Sequence, residues 1–142
     1  MERISKENYY LDIAETVLER ATCLRRIYGA IIVKNDEIIS TGYNGAPRGR
    51  VNCSELGYCN REQLRIPSGQ RYELCRSVHA EANAITKVAK SANNCDGSTL
   101  YITAAPCIEC SKLIIQAGIR RVVYAEDYRS EEGLNLLRRV GI

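Results

Sequence analysis

Apolar residues recur at helical spacing over residues 7–22. Tyr10, Ile13, Ala14, Val17, Leu18 and Ala21 share one stripe, which predicts an amphipathic helix. The pattern then changes. An apolar run at residues 30–33, the turn pair Asn35-Asp36 and a second run at 37–43 predict a β-hairpin. Residues 44–72 are rich in Gly, Pro, Asn, Arg and Ser, which predicts a long loop with at most a short helix. A loop of that length inside a compact domain usually carries function. Beyond it the spacing predicts a helix at 78–89, a strand at 100–103, a helix at 107–117, a strand at 122–125 and a last helix from Ser130. Glu131 and Glu132 open that last helix and Arg138 and Arg139 close it, an order that complements the helix dipole. Hairpin strands followed by strand–helix crossovers imply an α/β protein with a mixed sheet and helices on both faces, its ligands bound beside the strand ends.

Composition narrows the class only modestly. A chain of 142 residues, 45% hydrophobic and 26% charged, fits one globular domain spanning residues 1–142. Its longest apolar runs are too short for a membrane span, and no apolar signal segment follows Met1. Seven cysteines without an export signal favour a reducing, cytoplasmic setting and metal ligation over a disulfide scaffold. A net charge of +3 suits an anionic small molecule and lacks the concentrated basic face of a nucleic-acid binder. The sequence therefore predicts no nucleic-acid and no membrane partner. The nine tyrosines, with no Phe or Trp, have no physical explanation here.

The chemistry concentrates in two short runs. The only histidine, His79, stands two residues before Glu81, and Pro106-Cys107-Ile108-Glu109-Cys110 follows downstream. Catalytic zinc takes three protein ligands and leaves a fourth position open. His79, Cys107 and Cys110 supply those three, and Glu81 is left to move protons. Cys107 and Cys110 are three apart and share a helix face, with Pro106 fixing the entry. A helix N-terminus also favours the thiolate form. The competing reading is a closed structural zinc site, which needs a fourth ligand and leaves Glu81 without a purpose.

The run from His79 to Ile85, together with Thr99-Leu100-Tyr101-Ile102-Thr103 leading into Pro106-Cys107 and Cys110, resembles the cytidine deaminase superfamily. The run Thr41-Gly42-Tyr43-Asn44-Gly45-Ala46-Pro47-Arg48-Gly49 narrows the likeness. With residues 114–119 and 122–124, it is similar to the deoxycytidylate (dCMP) deaminases, over residues 9–137. The resemblance implies a three-layer α/β/α fold with a mixed sheet of four or five strands. It also implies zinc-dependent deamination of dCMP to dUMP. By the same likeness, Asn44 contacts substrate, and Gly45 and Arg48 help form a nucleotide-effector site. Arg26 and Tyr124 are further phosphate candidates. Members of the family often form hexamers activated by dCTP and inhibited by dTTP, so the expected partners are dCMP, these triphosphate effectors with Mg2+, and further copies of the chain.

The resemblance also implies a second, structural zinc. Cys23, Cys53 and Cys75 fall where relatives place its ligands, and Cys59 would complete a set of four thiolates that pins the loop at 44–75. Chains of the family commonly continue past Gly141-Ile142 into another strand, so the outer sheet edge is open to either strand count. Two other functions compete. One is deamination of another small cytosine-type compound, a free nucleoside or a pterin-like base. The other is a non-catalytic zinc or nucleotide-sensing module. Phosphate-binding candidates argue against a nucleoside, a transfer-RNA deaminase would be more basic, and a sensing module has no need of Glu81.

Overall fold

The computed structural model of the chain describes residues 2–67, 69–127 and 130–142. Four strands form one sheet in the order β2-β1-β3-β4. β1 (Gly29–Lys34) and β2 (Glu37–Tyr43) make the hairpin, β3 (Thr99–Ala104) pairs antiparallel with β1, and β4 (Arg121–Glu126) runs parallel to β3. The sheet is thus mixed, and four-stranded among the described residues. The hairpin turn is made by Asn35 and Asp36, both at positive φ (53° and 61°), the geometry that right-handed strand twist favours.

The alternation of side chains along β1 and β3 builds two apolar layers. Ile31, Val33 and Tyr101 face one way and pack with Tyr10 and Ala14 of α1 (Lys6–Leu18). Ala30, Ile32, Leu100 and Ile102 face the other way, against α4 (Ala80–Ala89), α5 (Ile108–Ala117) and α6 (Glu132–Arg139). Two glycines set how closely the layers approach. A Cβ on Gly29 would lie 2.1 Å from the Ala14 carbonyl oxygen, and one on Gly42 would lie 2.3 Å from that of Ala80. Bare backbone at these two positions lets α1 and α4 sit against opposite faces of the hairpin.

α4 begins at Ala80 and α5 at Ile108, later than the periodic pattern predicts, and three further boundaries also differ. α1 stops at Leu18, so Ala21 lies beyond it. The chain there tightens into three-residue hydrogen bonds, and the Thr22 amide donates to the Asn44 carbonyl, which commits the segment to the opposite loop. The long loop holds two single-turn helices, α2 (Cys53–Leu56) and α3 (Asn60–Gln63), and a 3-10 turn at Tyr72–Leu74. α6 begins at Glu132, the Ser130 hydroxyl accepting from the Glu132 amide. Among the described residues, no helix is long and apolar enough to cross a membrane.

Candidate active site

Two helix starts face each other across the sheet end. His79 is the N-cap of α4, one residue ahead of the helix proper, and Cys107 is the N-cap of α5, its sulfur accepting from the Cys110 amide at 3.5 Å. The His79 Nδ1 atom lies 3.6 Å from the Cys107 sulfur and 3.3 Å from the Cys110 sulfur. All three donor atoms fall within 4.8 Å of one another, the only such group of His, Cys, Asp or Glu among the described residues. A tetrahedral zinc, with bonds of about 2.0 Å to nitrogen and 2.3 Å to sulfur, places N and S roughly 3.5 Å apart. The observed edges match that figure, and one imidazole nitrogen with two thiols is a soft donor set suited to zinc. The residues fit the metal.

The thiols, imidazole and carboxyl of this group shift one another's protonation. Hydrogen bonding between the two sulfurs holds the Cys107 thiol well below its usual range and pushes Cys110 well above, because two thiolates so close repel. Burial works against a charged His79, but the Cys107 hydrogen bond and Glu81 outweigh it and raise the imidazole. Glu81, in the first turn of α4, is 4% exposed, and burial pushes its carboxyl up to about 7 against the opposing pull of His79. A carboxyl poised near neutrality can both take and give a proton.

A cavity opens above this group. His79, Glu81 and Cys107 line it together with Asn44, Arg26 and Tyr28. Asn44 is buried, and both ends of its amide are engaged: Oδ1 accepts from the Tyr28 amide and Nδ2 donates to the Arg26 carbonyl, each at 2.8 Å. It therefore shapes residues 26–28 at the cavity rim. Gly45 and Arg48, its neighbours in sequence, line a different cavity with Arg20, Arg50 and Lys87. Gly45 also forms a two-way backbone bridge with Val78, at 3.2 and 2.7 Å, immediately before His79. Tyr124, half-buried on β4, packs against the apolar core and lines neither cavity.

The four cysteines expected to hold a second zinc do not meet as closely. Cys23 and Cys75 line the first cavity, Cys53 is buried 3.9 Å from the Ser77 hydroxyl, and Cys59 is buried at the start of α3. Burial raises the Cys75 thiol, and the Cys23 and Cys53 sulfurs are near enough to add to the shift. Sequence reasoning missed three contributors. Asn83 donates from Nδ2 to the carbonyls of Tyr43 and Val78, tying α4 to the end of β2. Tyr72 stands edge-on to the His79 ring at 4.6 Å between centroids, and the Arg61 guanidinium stacks over Tyr72, also at 4.6 Å. Asn83 lay inside a quoted motif, but Arg61 and Tyr72 sit in a polar loop with no periodicity to mark them.

A four-stranded mixed sheet between helical layers, with a clustered His, Cys and Cys at two facing helix starts, is the cytidine deaminase-like α/β fold. Residues 4–126 match the family described as the cytidine and deoxycytidylate deaminase zinc-binding region. The chain is 42% identical over 130 residues to ComE operon protein 2 of Bacillus subtilis, covering 92% of this chain and 64% of that one. It is 35% identical over 143 residues to the deoxycytidylate deaminase of Schizosaccharomyces pombe, covering 99% and 43%. It thus spans less than two thirds of the length of either relative. Among solved structures, the dCMP deaminase of cyanophage S-TIM5 in complex with dCMP and dUMP superposes with a TM-score of 0.81 at 36% identity, covering 99% of this chain and 96% of that one. The chain belongs to the cytidine and deoxycytidylate deaminase family.

Proposed function

We propose that this chain is a zinc-dependent hydrolase that deaminates dCMP to dUMP and ammonia, supplying dUMP for thymidylate synthesis. One observation carries the reading: a buried carboxyl, Glu81, beside a three-donor group suited to zinc, in a cavity also lined by Arg25, Arg26 and Arg61. The likeness to the S-TIM5 enzyme, solved with dCMP and dUMP, supports the substrate. Zinc held by His79, Cys107 and Cys110 would supply an acidified water as nucleophile for the ring carbon bearing the amine. Glu81, beside those ligands, would carry one proton to the adjacent ring nitrogen and a second to the departing amine. Water and dCMP enter, and dUMP and ammonia leave. The two helix starts hold the thiolates, and Asn44 fixes the rim segment against which the nucleotide lies.

The remaining assignments extend this reading. Residues 1–142 form a single domain with a long functional loop at about 44–75. Gly45 and Arg48 take a triphosphate effector, dCTP or dTTP with Mg2+, in the second cavity, where Arg20, Arg50 and Lys87 add positive charge. Arg26 is a phosphate contact, with support from its place in the lining of the first cavity, a support that Tyr124, packed against the core, lacks. Cys23, Cys53, Cys59 and Cys75 hold a second zinc. The influence of Cys23 and Cys53 on Cys75 supports three of the four. The protein acts in the cytoplasm as a homo-oligomer, a hexamer in the family's usual form. Ammonia release from dCMP, with deoxycytidine and dCTP in parallel, tests the core claim. Fast turnover of dCMP alone is expected. No turnover of any of the three, with or without added dCTP, would move the assignment to another amine-bearing substrate or to an idle zinc module.

A further inference from the structure

The cavity above Glu81 contains a buried cation that the proposed chemistry does not use. Arg61, in α3, is 5% exposed and lines the cavity. Its Nη1 donates to the Gln70 carbonyl at 2.9 Å, its face lies on Tyr72, and its Nε has no hydrogen-bond partner. Among the described residues, no carboxylate pairs with it. Arg25, which also lines the cavity, is by contrast already bound, to Glu62 at 3.2 Å and to the Ile66 carbonyl. A buried guanidinium paired with no carboxylate is costly, and an arriving anion would offset that cost.

Position says which anion. Tyr72 touches both His79 and Arg61, so the guanidinium stands one aromatic ring away from the zinc-ligand imidazole. A nucleotide whose base reaches His79 and Glu81 holds its phosphate a sugar's length away, at the level of that ring. With Nη1 committed to Gln70, the Nε–Nη2 edge remains, the planar fork that matches two oxygens of a phosphate monoester. We propose that Arg61 is a phosphate-binding residue of the substrate site, reaching it from the long loop and selecting nucleoside monophosphates over nucleosides. The inference rests on the dCMP reading for its ligand, while its geometry stands on Arg61 alone. It also gives the loop a second role: the stack of Arg61 on Tyr72 on His79 ties phosphate capture to the placement of Arg61 and Tyr72 beside the site.

The test is equilibrium binding by calorimetry with zinc-loaded wild type, Arg61→Met and Arg61→Lys, using dUMP, deoxyuridine and inorganic phosphate as probes. Arg61→Met should weaken dUMP roughly 10- to 100-fold and leave deoxyuridine within about 2-fold. Arg61→Lys, which keeps the charge and loses the fork, should recover only part of the loss, and serves alone if the methionine variant does not fold. Unchanged dUMP affinity, or equal losses for dUMP and deoxyuridine, overturns the proposal, the second outcome marking Arg61 as a loop strut. The two readings fail separately. A wild type that deaminates dCMP but whose dUMP affinity ignores Arg61 refutes only the inference. A wild type inactive on dCMP refutes the substrate, and loss of inorganic phosphate binding in Arg61→Met still decides the role of Arg61.

Discussion

Gly42→Ala is the substitution that most directly tests how the fold positions the site. Gly42 lies on β2 beneath the first turn of α4, and a methyl there would stand 2.3 Å from the Ala80 oxygen and 2.6 Å from the Ala84 nitrogen. Ordinary contact begins at 3.4 Å, so the helix must retreat by about 1 Å. Both obstacles are backbone, and no side-chain rotation relieves them. Overpacking of this kind costs about 1–3 kcal/mol, and the rigidity of both partners places it toward the upper end. At about 4 °C per kcal/mol for a domain of this size, the melting temperature should fall by roughly 8–12 °C. Ala80 lies between His79 and Glu81, so the displacement reaches the proton carrier, and a misplacement of that size costs about 100-fold in turnover. Gly45→Ala is the matched control. A Cβ there meets nothing closer than the Thr22 hydroxyl at 3.4 Å, so its melting temperature should stay within about 2 °C of wild type. Calorimetric melting together with dCMP turnover measures both effects. A Gly42→Ala protein that melts and turns over like wild type, or two variants that lose stability equally, would refute the close-approach argument.

Glu81→Gln should keep its zinc and lose about 100- to 10,000-fold in turnover, because ligation and proton transfer use different residues; normal turnover would reject the role of Glu81. Zinc measured per chain should come close to two, and a value near one would reject the four-cysteine site. The alkaline limb of stability reports on α1. The Tyr10 hydroxyl donates to Asp36 Oδ1 at 2.6 Å, and that bond, then burial, pushes it up to about 12. A folded-state value above the unfolded one gives stability that is complete below about pH 10 and lost as pH rises through about 12. Melting temperature should therefore fall more steeply over that window in wild type than in Tyr10→Phe, and parallel slopes would contradict the linkage.

What the sequence made legible was what has a period or a fixed chemistry. Helical and alternating spacing marked the principal elements, because each must bury one stripe or one face. His79, Glu81, Cys107 and Cys110 stood out because the metal ligation and proton transfer proposed for them admit few residue types. The loop was not. Arg61 and Tyr72 reach the cavity through stacking between residues eleven positions apart, and no local spacing encodes such a contact. The end of α1 depended on Thr22 finding Asn44 across the molecule, which propensity does not register.

The run from Gly42 to Gly45 shows why a recognisable motif does not translate into one site. Gly42 meets α4, the Tyr43 carbonyl accepts from Asn83, Asn44 closes the rim of the first cavity, and Gly45 pairs with Val78 and lines the second. Extended backbone turns successive residues to opposite sides. Four neighbours therefore acquire four different surroundings, with Asn44 lining the first cavity and Tyr43 and Gly45 lining the second. Gly45, through Val78, and Tyr43, through Asn83, both bear on the turn that presents His79, so the residues of the run cannot be assigned to one ligand as a group.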